Sequence, residues 1–232
     1  ELSVEDFEGS SDPSQATVFL GDEDSSWGAR RWLEPEIASM VLNQGETLTV
    51  RTKVNVPKNA EPGGRYAALF ASSTYESQDE QGSPVNITSR VGTLFLIKVA
   101  GTIINEGTLN KPEIPGLSEY GPIDVGLVFN NTGNVHLKPQ GGVLITNFLG
   151  QQVADIPAPE WVVLPESSRR NVVTWDSQYL LGRYTARAEI GYTSDGTPSI
   201  ASTSFRFIPW LLIIPIASAA APLLSGVSRL VP

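Results

Sequence analysis

The sequence predicts an all-β protein built as two tandem β-sandwiches, followed by one C-terminal transmembrane helix. Three observations lead to this prediction: short alternating apolar segments between turn residues, one repeated motif, and a long uncharged run near the C-terminus. Before residue 207 no stretch has the i, i+3, i+4, i+7 spacing of an amphipathic helix. We therefore expect domains at 1–100 and 101–207 and the membrane helix at 208–228.

Strand-like segments separated by Gly, Pro and Asn residues recur along the first 207 residues. They are Val41–Val56, Arg65–Ser72, Arg90–Val99, Pro122–Phe129, Gly142–Phe148, Asn171–Trp175, Gly182–Tyr192 and Ser202–Phe207. Short strands at this spacing are typical of β-sandwiches. The prolines and glycine between residues 101 and 121 indicate the domain junction.

A Gly-Arg-Tyr motif occurs at Gly64–Tyr66 and again at Gly182–Tyr184, each time at the start of a strand-like segment. An apolar-Pro step, Val56-Pro57 or Leu164-Pro165, precedes each copy. A tyrosine whose ring packs at the start of a strand while its hydroxyl bonds a nearby carbonyl is typical of immunoglobulin-like sandwiches. The motif therefore predicts two copies of an immunoglobulin-like domain.

The first copy is expected to lack its opening one or two strands. Counting back from Tyr66 by the distance that separates Tyr184 from the segment Pro122–Phe129 reaches the start of the chain. Either these strands precede Glu1 in a longer protein, which we favour, or another molecule supplies a strand to the open edge. The first residues also carry no signal peptide, so we expect a processed chain or a fragment.

The run Phe207–Ser228 contains no charged residue. As a helix it would extend roughly 33 Å, about the thickness of the hydrocarbon core of a bilayer. Arg206 and Arg229 flank it, and Trp210 lies where an interfacial aromatic residue is expected. The run predicts a single-pass anchor at the cell surface with the β domains outside; a buried core helix or an apolar tail with three prolines is the alternative.

The composition excludes several classes of function. The chain has 25 acidic and 16 basic side chains, and its net charge of −9 argues against nucleic-acid binding. It has no Cys and a single His, His136, which excludes disulfides, thiolate chemistry and histidine-rich metal sites. A Ser-His-Asp triad would need His136, which lies in a strand-like segment. Carboxylate pairs could still hydrolyse glycosides, but the acids lie in polar turns, so we expect no enzyme and no cofactor.

Three segments carry a family resemblance: VPKNAEPGGRYAALFAS (56–72), RVGTLFLIKVAG (90–101) and FNNTGNVHLKPQGGVLITNFLG (129–150). Together with the terminal apolar run they resemble a prokaryotic surface architecture of tandem immunoglobulin-like domains with a C-terminal membrane helix. Among named families, the sequence resembles the WxL-interacting surface proteins, which have a peptidoglycan-binding immunoglobulin-like domain, a second such domain and a C-terminal anchor. The resemblance implies a wall- or surface-associated binding role and transfers no binding residue.

Two tryptophans, Trp27 and Trp32, lie in a Ser/Gly/Arg-rich segment and are the candidates for exposed aromatic residues that contact a glycan. Trp161 and Trp175 lie in strand-like apolar runs, so we expect them in the core. The acidic loop with Asp22 and Asp24 could offer oxygen ligands to a hard cation such as Ca²⁺. Its spacing does not match an EF-hand, and a solvated loop is the favoured interpretation.

Two sequons, at Asn86 and Asn130, are possible glycosylation sites. They fit an exported protein, and their use depends on the organism.

These observations predict a non-enzymatic, membrane-anchored surface protein that binds cell-wall polymer, glycan or another surface protein. One alternative is a structural stalk or scaffold subunit whose first domain is completed by a strand from a partner. The other is a pair of accessory modules of a larger surface hydrolase. Folding that requires an added strand would favour the first alternative, and an upstream catalytic domain would favour the second.

Overall fold

The structure, a computed structural model, describes residues 1–43, 45–78, 84–177, 181–193 and 196–208. Within these ranges the chain is all-β, with fourteen strands and one turn of 3-10 helix at Arg30–Trp32. No helix in the described part of the chain is long and apolar enough to cross a membrane. The predicted membrane helix at 208–228 lies outside the described residues, apart from Ile208.

The chain divides into two compact units. Unit 1 contains Glu1–Gly107, Asn131–Leu137 and Val162–Arg169. Unit 2 contains Thr108–Asn130, Lys138–Trp161 and the described residues from Arg170 onward. Two short segments from the predicted second domain therefore belong to unit 1.

Unit 1 contains a four-stranded sheet in the order β2-β1-β5-β6 and a two-stranded sheet, β3-β4, with antiparallel neighbours throughout. The strands are β1 (Leu2–Glu8), β2 (Val18–Phe19), β3 (Leu33–Pro35), β4 (Thr52–Val54), β5 (Gly63–Gln78) and β6 (Pro84–Val99). Alternate residues of β5 lie on opposite faces of the sheet. Tyr66, Ala68 and Phe70 pack with Phe7 on one face, and Ala67 packs with Ala29 and Leu33 on the other.

The remaining strands form a five-stranded sheet, β11-β10-β13-β14-β8, and a three-stranded sheet, β12-β9-β7. They are β7 (Gly107–Leu109), β8 (Leu117–Ser118), β9 (Ile123–Asn131), β10 (Gln140–Asn147), β11 (Gln152–Ala158), β12 (Ser167–Trp175), β13 (Gly182–Gly191) and β14 (Ser199–Phe207). Strand β8 runs parallel to β14, and the other neighbours in the five-stranded sheet are antiparallel.

Aromatic residues join the two sheets of unit 2. The ring of Trp175 on β12 lies 5.5 Å from that of Tyr184 on β13 and 6.1 Å from that of Phe205 on β14. The ring of Phe129 on β9 lies 5.2 Å from that of Tyr192. The two sheets therefore face each other across an aromatic core, and the predicted burial of Trp161 and Trp175 is confirmed.

The strand order of unit 1 repeats that of unit 2, since β2-β1-β5-β6 matches β11-β10-β13-β14. Strands β5 and β13 both begin at a glycine with positive φ, 122° at Gly63 and 117° at Gly182, a conformation that L residues rarely adopt. The hydroxyl of Tyr184 donates to the carbonyl of Leu181 at 3.4 Å, as predicted. The hydroxyl of Tyr66 instead accepts a hydrogen bond from the backbone N–H of His136 at 2.8 Å.

The predicted strand Val41–Val56 is largely wrong. Only Thr52–Val54 forms a strand, paired with β3, and Leu48 is 49% exposed. Alternation alone does not make a strand where no neighbouring strand supplies hydrogen bonds. The other predicted strands are confirmed, although all except β13 extend beyond the predicted bounds at one or both ends, by four or more residues in β5, β6 and β12.

Asn131, at the end of β9, is 2% exposed and bonds three backbone groups within unit 1. Its Nδ2 donates to the carbonyls of Val135 and Val163 at 2.8 and 2.9 Å, and its Oδ1 accepts from the N–H of Gly133 at 2.9 Å. The side chain thereby satisfies backbone groups of two segments that are distant in sequence.

Replacing Asn131 by Ala is expected to lower the free energy of unfolding by about 2–4 kcal/mol, because buried backbone groups lose their partner. Urea denaturation of the full chain measures this. The neighbouring Asn130→Ala is the control and is expected to cost less than about 1 kcal/mol, since the hydrogen bonds from its amide to the side chains of Thr108 and Asn110 are exposed to solvent, which can replace them. Equal losses in the two variants would contradict the role assigned to Asn131.

Candidate ligand-binding site

The segment 20–32 of unit 1 folds around the carboxylate of Asp6, a residue of β1 that is 2% exposed. Its Oδ1 accepts hydrogen bonds from the backbone N–H groups of Ala29 and Arg30 at 2.8 and 2.7 Å. Its Oδ2 accepts one from the N–H of Ser25 at 3.2 Å. A buried carboxylate without such partners would strongly destabilise the fold. The three N–H donors therefore compensate the burial of the carboxylate and hold the loop in place.

The same segment also bonds to strand β5. The N–H of Tyr66 donates to the carbonyl of Trp27 at 2.7 Å, and the N–H of Ala29 donates to the carbonyl of Tyr66 at 3.1 Å. Gly28 lies between these bonds, and a Cβ built there would be 2.1 Å from Oδ2 of Asp6. Only glycine therefore lets the backbone approach the carboxylate this closely.

Three charged side chains form a chain at the surface of this loop. The carboxylate of Asp24 accepts from Nε of Arg30 at 2.8 Å with one oxygen and pairs with Arg31 through the other. The hydrogen bond from Arg30 is the main cause that lowers the pKa of Asp24, and the charge of Arg31 adds to it. Both guanidinium groups are thereby held by one acid in a defined orientation.

A cavity of about 230 Å³ lies beside these charges. Its lining includes Asp24, Arg30, Arg31 and Trp32 together with the buried Asp6. The 3-10 turn Arg30–Trp32 begins where the N–H groups of Ala29 and Arg30 donate to Asp6. The turn therefore places the consecutive residues Arg30, Arg31 and Trp32 at the cavity. The predicted site residues Trp32 and Asp24 are thus brought together.

Trp27 is not brought to this cavity. Its indole packs against the cluster of Phe7, Tyr66 and Phe70, and the guanidinium of Arg65 lies 5.6 Å from its ring centroid. Trp32 instead packs against the cluster that contains Ala67, on the other face of β5. Both indoles are half-buried rather than exposed, and they lie on opposite faces of one sheet, so they do not form a joint platform.

Asp22, the second acid named as a weak cation ligand, is fully exposed and lies 4.0 Å from a guanidinium nitrogen of Arg30. Arginine neighbours at both Asp22 and Asp24 disfavour a cation there. Among the described residues, no group of three or more His, Cys, Asp or Glu side chains is arranged to hold a metal ion.

The two sequons differ in their surroundings. Asn86 is exposed on β6. Asn130, on β9, is half-buried, and its Nδ2 donates to Oδ1 of Asn110 at 2.9 Å. The amide nitrogen that would carry a glycan is therefore engaged at Asn130, and Asn86 is the more accessible of the two.

Unit 2 has a larger cavity of about 550 Å³, lined in part by the ion pair of Glu113 and Arg170 at 3.0 Å. No aromatic side chain lines it. A third cavity, of about 410 Å³, is lined by Lys138, Gln140, Gly191, Tyr192 and Thr193. Of the three, the cavity of unit 1 combines an aromatic residue with charged side chains of both signs, as in sites that bind small ligands.

The expectation that Asp6 is a solvated acid in a polar turn is wrong, because Asp6 lies on β1 and is 2% exposed. The sequence analysis did not single out Gly28, Arg30 or Arg31. The two arginines follow Gly28-Ala29 and directly precede Trp32, so their spacing relative to the acidic loop was an available signal. The role of Asp6 had no local signal, because its partners lie about twenty residues away in sequence.

A comparison with known proteins finds no matching family model and no matching curated protein.

Replacing Asp6 by Asn is expected to lower the free energy of unfolding by about 3 kcal/mol, since an amide group cannot accept all three hydrogen bonds and the charge that strengthens them is lost. Thermal or urea denaturation measures this, with the exposed Asp22→Asn as control. A loss no larger than that of the control would show that Asp6 does not organise the loop.

Acidification tests the Asp24 pair. The folded-state pKa of Asp24 lies below its unfolded value, so its contribution to stability is present above the unfolded pKa and is lost as the pH falls toward the folded one. Stability is therefore expected to fall less steeply below about pH 4 in Asp24→Asn than in the parent chain. Unfolding midpoints across the acid range measure this, and identical slopes would contradict the pairing.

Proposed function

We propose that this chain is a non-enzymatic surface protein whose unit 1 binds one sugar unit of a cell-wall polymer or other glycan in the cavity beside Trp32. The observation that carries the proposal is the convergence of an indole, two oriented guanidinium groups and a carboxylate on one cavity.

The chemistry of the cavity suits a sugar. An indole offers an apolar face on which the C–H groups of a pyranose ring can pack. Guanidinium groups donate paired hydrogen bonds to hydroxyl, acetamido or carboxylate oxygens, and Asp24 can accept from a hydroxyl. At about 230 Å³ the cavity lies below the usual 300–1,000 Å³ of drug-sized ligands, which suits one unit of a polymer.

The acids of the site support binding rather than catalysis. Asp6 is saturated by backbone N–H groups, and Asp24 is held ionised between two arginines. A general acid for glycoside hydrolysis needs a raised pKa, the opposite of the shift at Asp24.

The setting that we propose is the cell surface, with an anchor in the segment 208–228 and immunoglobulin-like domains outside. The order β11-β10-β13-β14-β8 facing β12-β9-β7 is the order expected of an immunoglobulin-like sandwich, in which a parallel strand joins the last strand of the larger sheet. This order, its partial repeat in unit 1 and the WxL-interacting resemblance of the sequence support the proposal.

Cosedimentation with purified peptidoglycan and with wall polysaccharide tests the function. We expect Trp32→Ala and Arg31→Ala to weaken binding about tenfold or more, since central aromatic and arginine contacts dominate such sites. Trp27→Ala is expected to lower stability and leave the affinity of the folded protein unchanged, because Trp27 packs on the other face of the sheet.

The matched control is Arg187→Ala, an exposed arginine of unit 2 that also pairs with an acid. Failure of the parent chain to bind either polymer would end the proposal. Retained affinity in folded Trp32→Ala would show that the ligand binds elsewhere.

A further inference from the structure

Large apolar side chains are exposed at one end of the five-stranded sheet of unit 2. The strand pairing defines this end: Asn147 of β10 lies opposite Tyr184 of β13, and Gly182 of β13 lies opposite Phe207 of β14. Phe207 in turn pairs with Ser118, the last residue of β8. Just beyond these strand ends lie four side chains that are 65–72% exposed and that we call the apolar tip: Tyr120, Phe148, Leu149 and Leu181.

The turn that carries Phe148 and Leu149 is held by other residues. The Oδ1 of Asn147 accepts hydrogen bonds from the N–H groups of Leu149 and Gln151, both at 3.0 Å, and Gly150 has a φ of 78°. Asn and Gly are the residues that such turns favour. The two apolar side chains are therefore not needed to form the turn, and their transfer from water to an apolar environment would be favourable.

Two arginines without an acidic partner lie beside the apolar tip. Arg183 of β13 and Arg206 of β14 are directly opposite each other and exposed on the outer face of the sheet, where facing like charges repel. Among the described acids, none forms an ion pair with either guanidinium, and this includes Glu119 at the same end. In contrast, Arg187 on the same face of β13 pairs with Glu189 at 2.9 Å. The pair Arg183 and Arg206 is thus a cationic site in a chain of net charge −9.

The chain leaves the sheet at this same end and continues into the uncharged run. Strand β14 ends at Phe207, which is also the first residue of the run Phe207–Ser228. No polar linker therefore separates the sheet from the proposed anchor. Because a chain extends at most about 3.6 Å per residue, an anchor that begins here holds this end of unit 2 at the bilayer surface.

We propose that this end of unit 2 docks on a lipid bilayer that contains anionic phospholipids. The apolar tip enters the interface between headgroups and acyl chains, which favours aromatic and large apolar side chains. Arg183 and Arg206 bind a headgroup phosphate, whose oxygens accept paired hydrogen bonds from guanidinium groups. The inference rests on the anchor of the proposed function and is independent of the glycan site in unit 1.

A single label tests the docking, because the chain has no Cys. The full chain with Leu149→Cys carries an environment-sensitive fluorophore and is reconstituted in vesicles of phosphatidylcholine and phosphatidylglycerol. Lipids with a nitroxide in the upper acyl chain are expected to quench this label, since the tip enters the interface by about 5–10 Å. The matched control is Ile200→Cys, an exposed apolar position of β14 at the opposite end of the sheet, where we expect no quenching by lipid.

The two arginines are tested by omitting phosphatidylglycerol. In the parent chain, the anionic lipid is expected to raise the ratio of docked to undocked protein about fivefold or more, because arginines near an anionic surface strengthen binding. The double variant Arg183→Gln, Arg206→Gln is expected to lose this dependence. Arg187→Gln, which removes an arginine already paired with an acid, is expected to keep it.

Extraction with alkaline carbonate tests the anchor separately. An anchored chain whose label at residue 149 is quenched no more than the label at residue 200 would overturn the docking and leave the anchor in place. A label at residue 149 that is shielded from water but not quenched by lipid would also overturn it, since a protein would then cover the tip. Release of the chain by carbonate overturns the anchor alone where the label is still quenched, and both proposals where it is not.

Discussion

The local structure of unit 1 depends on one buried charge, the carboxylate of Asp6. Its three N–H partners lie within a short segment, so a single side chain of β1 determines the path of the backbone from Ser25 to Arg30. That path brings the segment against the backbone of Tyr66 and starts the 3-10 turn. Hydrogen bonds to an ionised acceptor are among the strongest available to a loop.

The buried acid also shapes the electrostatics at the surface. Because backbone amides satisfy the hydrogen bonds of Asp6, the guanidinium groups of Arg30 and Arg31 bond to Asp24 outside, and Asp6 adds only a nearby negative charge that contributes to the raised pKa of Arg30. Asp24 restrains both long side chains. Under the proposed function, a glycan that bonds these arginines would cost less conformational entropy than it would with unrestrained arginines.

The all-β class and seven of the fourteen described strands, including the long strands of both units, could be predicted from the sequence, because alternation with turn residues is typical of a half-buried strand. The predictions failed where the structure of a segment depends on residues that are far away in the sequence. The segment Val41–Val56 has alternating apolar residues, but only Thr52–Val54 near its end pairs with another strand. Strand β1 contains Glu5, Asp6 and Glu8, which are unfavourable in strands, and Asp6 forms its hydrogen bonds with residues far along the chain. Trp27 and Trp32 were chosen together for their polar neighbours, but the packing of Trp27 against the core depends on residues from two strands and a loop that is distant in sequence.

The path of the chain has a consequence for how the protein is made. Unit 1 includes Asn131–Leu137 and Val162–Arg169, whose side chains and backbone bond to one another through Asn131. On the ribosome the N-terminal unit therefore cannot acquire its complete set of contacts until residue 169 has left the exit tunnel. Much of unit 2 has been synthesised by then, so the two units complete their folding late and nearly together rather than in succession.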